Sequence, residues 1–203
     1  IDLLTLGRIK LDRYNVLVMV SGNYALIDKS TSDRIKAWVQ NGGTLITIKN
    51  GTDWAIKQGI TKEKIIPVTD TAKPIAVTRL NFEIAADNEG SKNLGGSIFT
   101  VDLDTTHPIG FGFTSRKISV YRNAQTYLPP STNPYSTVAQ YTDNPLLGGY
   151  LHQFSAKKIK NTASIVVAQE GNGSGISFKE LPIFRGAWYG LKKIFLNVFV
   201  FVV

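Results

Sequence analysis

Few residues in this 203-residue chain could carry nucleophilic or acid–base chemistry: two histidines, no cysteine, and hydroxyls such as Ser21 and Thr52 beside apolar runs. His107-Pro108 follows Asp102 and Asp104 closely, so His107 could serve as a base oriented by a carboxylate, or as a loop histidine whose proline starts a turn. His152 has no acidic residue within seven positions on either side. No His-x-x-Glu or His-Glu-x-x-His pattern occurs, so no metal and no cofactor are expected. The run Gly171-Asn172-Gly173-Ser174-Gly175 lacks the Lys-Ser/Thr ending of a phosphate loop and continues as Ile176-Ser177-Phe178. It reads as a hairpin turn. Ser21-Gly22-Asn23-Tyr24 stands at the carboxyl end of an apolar run, where α/β sheets place ligands. Arg185, Trp188 and Tyr189 crowd together before a final apolar stretch. They could contact an anion or a sugar, or pack beneath a helix.

These side chains depend on the elements that carry them. Leu3 to Leu6 reads as a short apolar strand, and 16–20 is a continuous apolar run of the kind buried in parallel sheets. A helix follows, with Ser30 as N-cap, Asp33 reaching back to the first-turn amides, and Ile35, Trp38 and Val39 on one stripe. Gly42-Gly43 closes it, and Thr44 to Ile48 is the next strand. Strand, helix, strand in succession predicts a crossover connection and a parallel sheet. Beyond lie a short helix over 52–58 capped by Thr52, an irregular insertion over 60–95, and short strands over 98–103, 118–122, 137–141, 163–169 and 176–178. The end is helical, with Leu191, Ile194, Phe195, Val198, Phe199 and Val202 at helical spacing. One α/β domain over 1–203 is the simplest arrangement.

Composition narrows the classes further. With no cysteine, disulfide frameworks, thiolate zinc sites and thiol nucleophiles are excluded. The net charge of +8 is divided, with 6 acidic against 3 basic groups in 65–110 and 10 basic against 3 acidic in 111–203. Its densest runs, Lys157-Lys158 with Lys160 and Lys192-Lys193, are not interleaved with aromatics as a stacking platform would be, so no nucleic-acid partner is expected. Salt-sensitive binding of an acidic ligand by the basic half stays open. The apolar run 194–203 is shorter than the ~20 residues of a membrane span. The chain opens on Ile1 directly in an apolar run and reads as a piece of a longer protein. Nothing in it signals an oligomeric state.

A more specific pattern joins several segments. Leu11-Asp12-Arg13-Tyr14-Asn15-Val16-Leu17-Val18, Ser21-Gly22-Asn23-Tyr24, and Trp38-Val39-Gln40-Asn41-Gly42-Gly43-Thr44-Leu45 together resemble the class I glutamine-amidotransferase-like fold. The pairing of His107-Pro108-Ile109-Gly110-Phe111-Gly112 with Phe184-Arg185-Gly186-Ala187-Trp188-Tyr189-Gly190 and Leu196-Asn197 is similar to the amidotransferase-like domain at the C-terminus of bacterial secreted zinc carboxypeptidases. The resemblance implies a flavodoxin-like three-layer sandwich with a mostly parallel central sheet, added short antiparallel strands and a C-terminal apolar helix, lacking the first strand and helix. It implies a peptidase domain upstream and a secreted or periplasmic location. In active members a cysteine after the strand matching Thr44 to Ile48 attacks the glutamine amide; here that turn reads Lys49-Asn50-Gly51-Thr52. The expectation is a non-catalytic module whose binding residues would be Ser21, Asn23, Tyr24, Asn50, His107, Arg185, Trp188 and Tyr189. The competing reading is a hydrolase using Ser21 or Thr52 with His107.

Overall fold

The computed structural model describes residues 1–66, 79–186 and 189–202. Its centre is one seven-stranded sheet in the order β1-β2-β7-β6-β5-β3-β4. The strands are β1 (Val16–Met19), β2 (Thr44–Ile48), β3 (Ser97–Leu103), β4 (Lys117–Arg122), β5 (Thr137–Gly148), β6 (Ala163–Glu170) and β7 (Gly173–Phe178). Among the described residues there are six α-helices: α1 (Leu3–Leu6), α2 (Lys29–Gln40), α3 (Asn50–Lys57), α4 (Ala85–Ser91), α5 (Gln153–Ile159) and α6 (Tyr189–Phe201).

The sheet is mixed rather than mostly parallel. Only β1, β2 and β7 run parallel to one another; β6, β5, β3 and β4 pair antiparallel in series from β7 onward. The reason lies in the connections. Only Gly171 and Asn172 separate β6 from β7, and a turn that short can join only antiparallel neighbours. β7 is therefore the changeover strand, parallel to β2 on one side and antiparallel to β6 on the other.

Both faces of the parallel part are covered. Leu45 packs with Ile35 and Val39 of α2 and Ala55 of α3, while Ile46 and Ile48 pack with Leu191, Ile194 and Val198 of α6. Alternate residues of a strand face opposite ways, so a fully buried β2 has a helix layer on each side. The Trp38 and Gly43 pair explains itself here: a Cβ on Gly43 would stand 2.3 Å from the Trp38 ring, so the indole closes over the turn into β2 only if that residue is glycine.

Local expectations shift at several ends. Leu3–Leu6 is helical, capped by Asp2 accepting from the Leu4 amide. The α2 N-cap is Asp28, which accepts from the Thr31 amide, so Ser30 lies inside the helix. Thr52 likewise lies inside α3, which begins at Asn50. β5 runs well past residue 141 and carries register shifts against both neighbours. No helix among the described residues is long and apolar enough to cross a membrane.

Candidate functional site

β2 passes into α3 at a single residue, Lys49, which has φ 52° and ψ −110°. Lys49, Asn161 and Arg185 are the non-glycine residues of positive φ among those described. A non-glycine residue held in such a region costs of order 1–3 kcal/mol and persists only where its surroundings fix it. Here the Lys49 amide donates to the Phe178 carbonyl at 2.8 Å. Two residues on, a Cβ on Gly51 would lie 2.6 Å from the Met19 carbonyl oxygen, so α3 can start against the end of β1 only with glycine there. A strained residue at a sharp strand-to-helix turn is the geometry of a nucleophile elbow. In this chain the elbow presents an amine. Lys49 Nζ donates to Asn123 Oδ1 at 2.6 Å, and burial, helped by the Arg122 cation, holds its ammonium below the usual lysine range.

Beside the elbow, Asn23, Tyr24 and Asn50 line one cleft of about 370 Å³ together with Asp53, Trp54 and Lys57. Asn23 Oδ1 accepts from the Ala25 amide at 3.0 Å and shapes the loop after β1. Tyr24 is buried, donates to the Val20 carbonyl, and tilts at 40° to Trp54 with ring centroids 5.5 Å apart. Burial raises its phenol pKa. Ser21 opens the same loop and is half-buried. The cleft thus offers aromatic surface, two side-chain amides, a cation and a carboxylate.

The other sequence-derived candidates are placed elsewhere. His107 is the N-cap of a short 3₁₀ turn, its Nδ1 accepting from the Ile109 amide at 3.2 Å. Burial lowers its pKa against the opposing pull of Asp104. Neither aspartate's carboxylate hydrogen-bonds its ring: Asp102 pairs with Arg116 at 2.8 and 2.9 Å, and the Asp104 carboxylate holds Thr106. His107 follows β3, which β2, β7, β6 and β5 separate from β1 and Ser21 in the sheet order. The Thr52 hydroxyl is buried and consumed, sharing a hydrogen bond with Thr47 Oγ1 and donating to the Phe178 carbonyl. His152 caps α5 in the same way that His107 caps its turn. Arg185 is exposed, its guanidinium 5.4 Å from the Phe184 ring centroid. Trp188 lies outside the described residues, and Tyr189 is placed only as the first residue of α6.

Behind the elbow lies a charged network that no sequence motif pointed to. Lys179, fully buried, donates to Asp53 Oδ1 and Thr126 Oγ1, both at 2.6 Å. Thr126 in turn donates to Asp53 Oδ2 at 2.8 Å. Arg122 donates to the Tyr141 hydroxyl at 3.1 Å, to Glu180 at 3.4 Å and to the Thr126 carbonyl. Ser164 and Tyr141 both donate to Glu180. Burial pushes Lys179 down to about 8 despite Asp53, and burial raises the Glu180 carboxyl against the pull of Arg122. The signal was an opposite-charge pair, Lys179-Glu180, directly after a buried strand. Charges there need partners. Among the described residues, no cluster of three or more acidic or histidine side chains is placed to hold a metal ion.

No known family profile and no curated protein matches this chain. Solved structures do. A cytoplasmic protein from Salmonella typhimurium matches over 98% of this chain and 78% of its own, with 14% identity and a TM-score of 0.57. A ThuA-like protein from Bacteroides uniformis matches over 100% and 74%, with 14% identity and a TM-score of 0.53. A protein described as a GMP synthase subunit from Thermoplasma acidophilum matches over 92% and 72%, with 12% identity and a TM-score of 0.52. The fold is glutamine-amidotransferase-like. The turn between β2 and α3, where that resemblance places a cysteine, holds Lys49, and the chain has no cysteine at any position.

Proposed function

We propose that this chain is a catalytically silent amidotransferase-like module, accessory to a secreted zinc carboxypeptidase-type protein, with a structural or substrate-binding role beside an upstream peptidase domain. The observation that carries the reading is Lys49 standing at the elbow where the fold's thiol would stand. An amine there cannot follow the thiolate route to a glutamyl thioester. The second support is what the most specific motif does. Asn197 of α6 donates to the carbonyls of Ile109 at 2.8 Å and Phe111 at 3.0 Å, so the His107-to-Gly112 segment and the final helix form a packing joint. The cleft lined by Asn23, Tyr24 and Asn50 is then the surface for a ligand or substrate segment. The test is turnover of glutamine and of C-terminal peptide substrates by the purified chain. None is expected; hydrolysis that a single point substitution abolishes would overturn the reading.

A further inference from the structure

We propose that Lys49 is a covalent capture site for a small aldehyde or ketone, its amine condensing with the carbonyl at the β2–α3 elbow. The neutral amine adds to the carbonyl carbon, a carbinolamine forms, and both amine hydrogens leave with the carbonyl oxygen as one water. A C=N bond replaces the C=O, with no oxidant, reductant or metal in the balance.

Three observations converge on this residue. The backbone is held at positive φ at a sharp strand-to-helix turn, pinned by Phe178 and by the approach of Gly51 to Met19. The partner of Nζ is the neutral amide oxygen of Asn123, and no carboxylate among the described residues forms an ion pair with Lys49. The amine is only half-buried, whereas the more deeply desolvated Lys179 is sealed from solvent and tied to Asp53 at 2.6 Å. Burial and the Arg122 cation both favour the uncharged, nucleophilic form of this amine over that of an exposed lysine. The inference goes beyond the silent-module reading, because capture is stoichiometric and needs no turnover.

The experiment treats the full chain with propanal and sodium cyanoborohydride at neutral pH and maps the reductively alkylated lysines by peptide mass spectrometry over time. Lys49 is expected to react first, several-fold faster than the exposed Lys10 and Lys117. Asn123→Asp sets a carboxylate against the amine and is expected to slow Lys49 about tenfold, leaving the other lysines and the circular dichroism unchanged. Labelling of Lys49 no faster than Lys10, or a rate indifferent to Asn123→Asp, overturns the proposal. Turnover of glutamine would overturn the silent-module reading and leave this one standing.

Discussion

Lys49 and Lys179 follow two strand ends that lie opposite each other in the sheet, Ile48 and Phe178, yet they occupy contrary settings. Lys179 is fully enclosed, bonded to a carboxylate and a hydroxyl, and joined through Thr126 to Arg122, Tyr141, Ser164 and Glu180. Lys49 sits on strained backbone, half in solvent, with one neutral partner. The difference separates architecture from site. Buried charges that satisfy one another tie β4, β5, β6, β7 and α3 together, and their removal is felt as lost stability. A side chain held at a conformational cost, without a charge to hold it, is placed for something outside the protein.

Substitutions in the two regions are expected to differ in size and in sign. The largest effect belongs to the network. Glu180→Ala leaves the fully buried Arg122 without its carboxylate, and a loss of about 3–5 kcal/mol in urea unfolding is expected; a loss below about 1 kcal/mol would mean the network is not structural. Next comes the elbow's packing. Gly51→Ala drives a methyl against the Met19 carbonyl, with an expected cost of about 1–3 kcal/mol and, by displacing the turn, a slower reaction of Lys49 with aldehyde. The elbow residue itself has the opposite sign. Lys49→Gly relieves the positive-φ conformation and is expected to stabilise the fold by about 1 kcal/mol, measured as a raised melting temperature. Destabilisation by this change would show that Lys49 belongs with Lys179 as architecture.

The gentlest contrast is in pH. The folded-state pKa of Lys179 lies at about 8, below its ordinary 10.5, so between these values the unfolded chain binds the proton that the folded chain has released. Stability from this group is therefore fully present above about 10.5, falls as pH drops through that window, and is lost below about 8. The slope is at most about 1.4 kcal/mol per pH unit. Comparing the pH dependence of unfolding between the wild type and Lys179→Met isolates it: the variant is expected to lose the upward slope between pH 8 and 10.5.

Much of the framework was legible in the residues. The α2 stripe, the buried β2 run, the positions of the later strands and the apolar last helix all follow from periodicity and glycine stops. α1 was not, because three leucines and a threonine are too short a run to show a period and Asp2 caps them as a helix. The direction of the sheet differs from expectation because β1, α2 and β2 do form a parallel unit, while the short turn at Gly171-Asn172 determines the next pairing. For the site, Asn23 and Tyr24, named from the rule placing ligands at strand carboxyl ends, and Asn50, named from the turn that the resemblance points to, line one cleft. Lys49 escaped because a backbone angle leaves no mark in residue type. The network escaped because its members come from residues as far apart as Asp53 and Lys179, which only the tertiary fold makes neighbours.

The central claim is that the elbow persists with its nucleophile exchanged for an amine, and Lys49→Cys tests it most directly. The protein has no other cysteine, so alkylation by iodoacetamide reports that single thiol. Placed beside Arg122 at the start of α3, the thiol is expected to ionise below the free-cysteine value of about 8.5 and to react at neutral pH about tenfold faster than a cysteine introduced by Lys10→Cys. A rate equal to or slower than that of the exposed control would contradict the account.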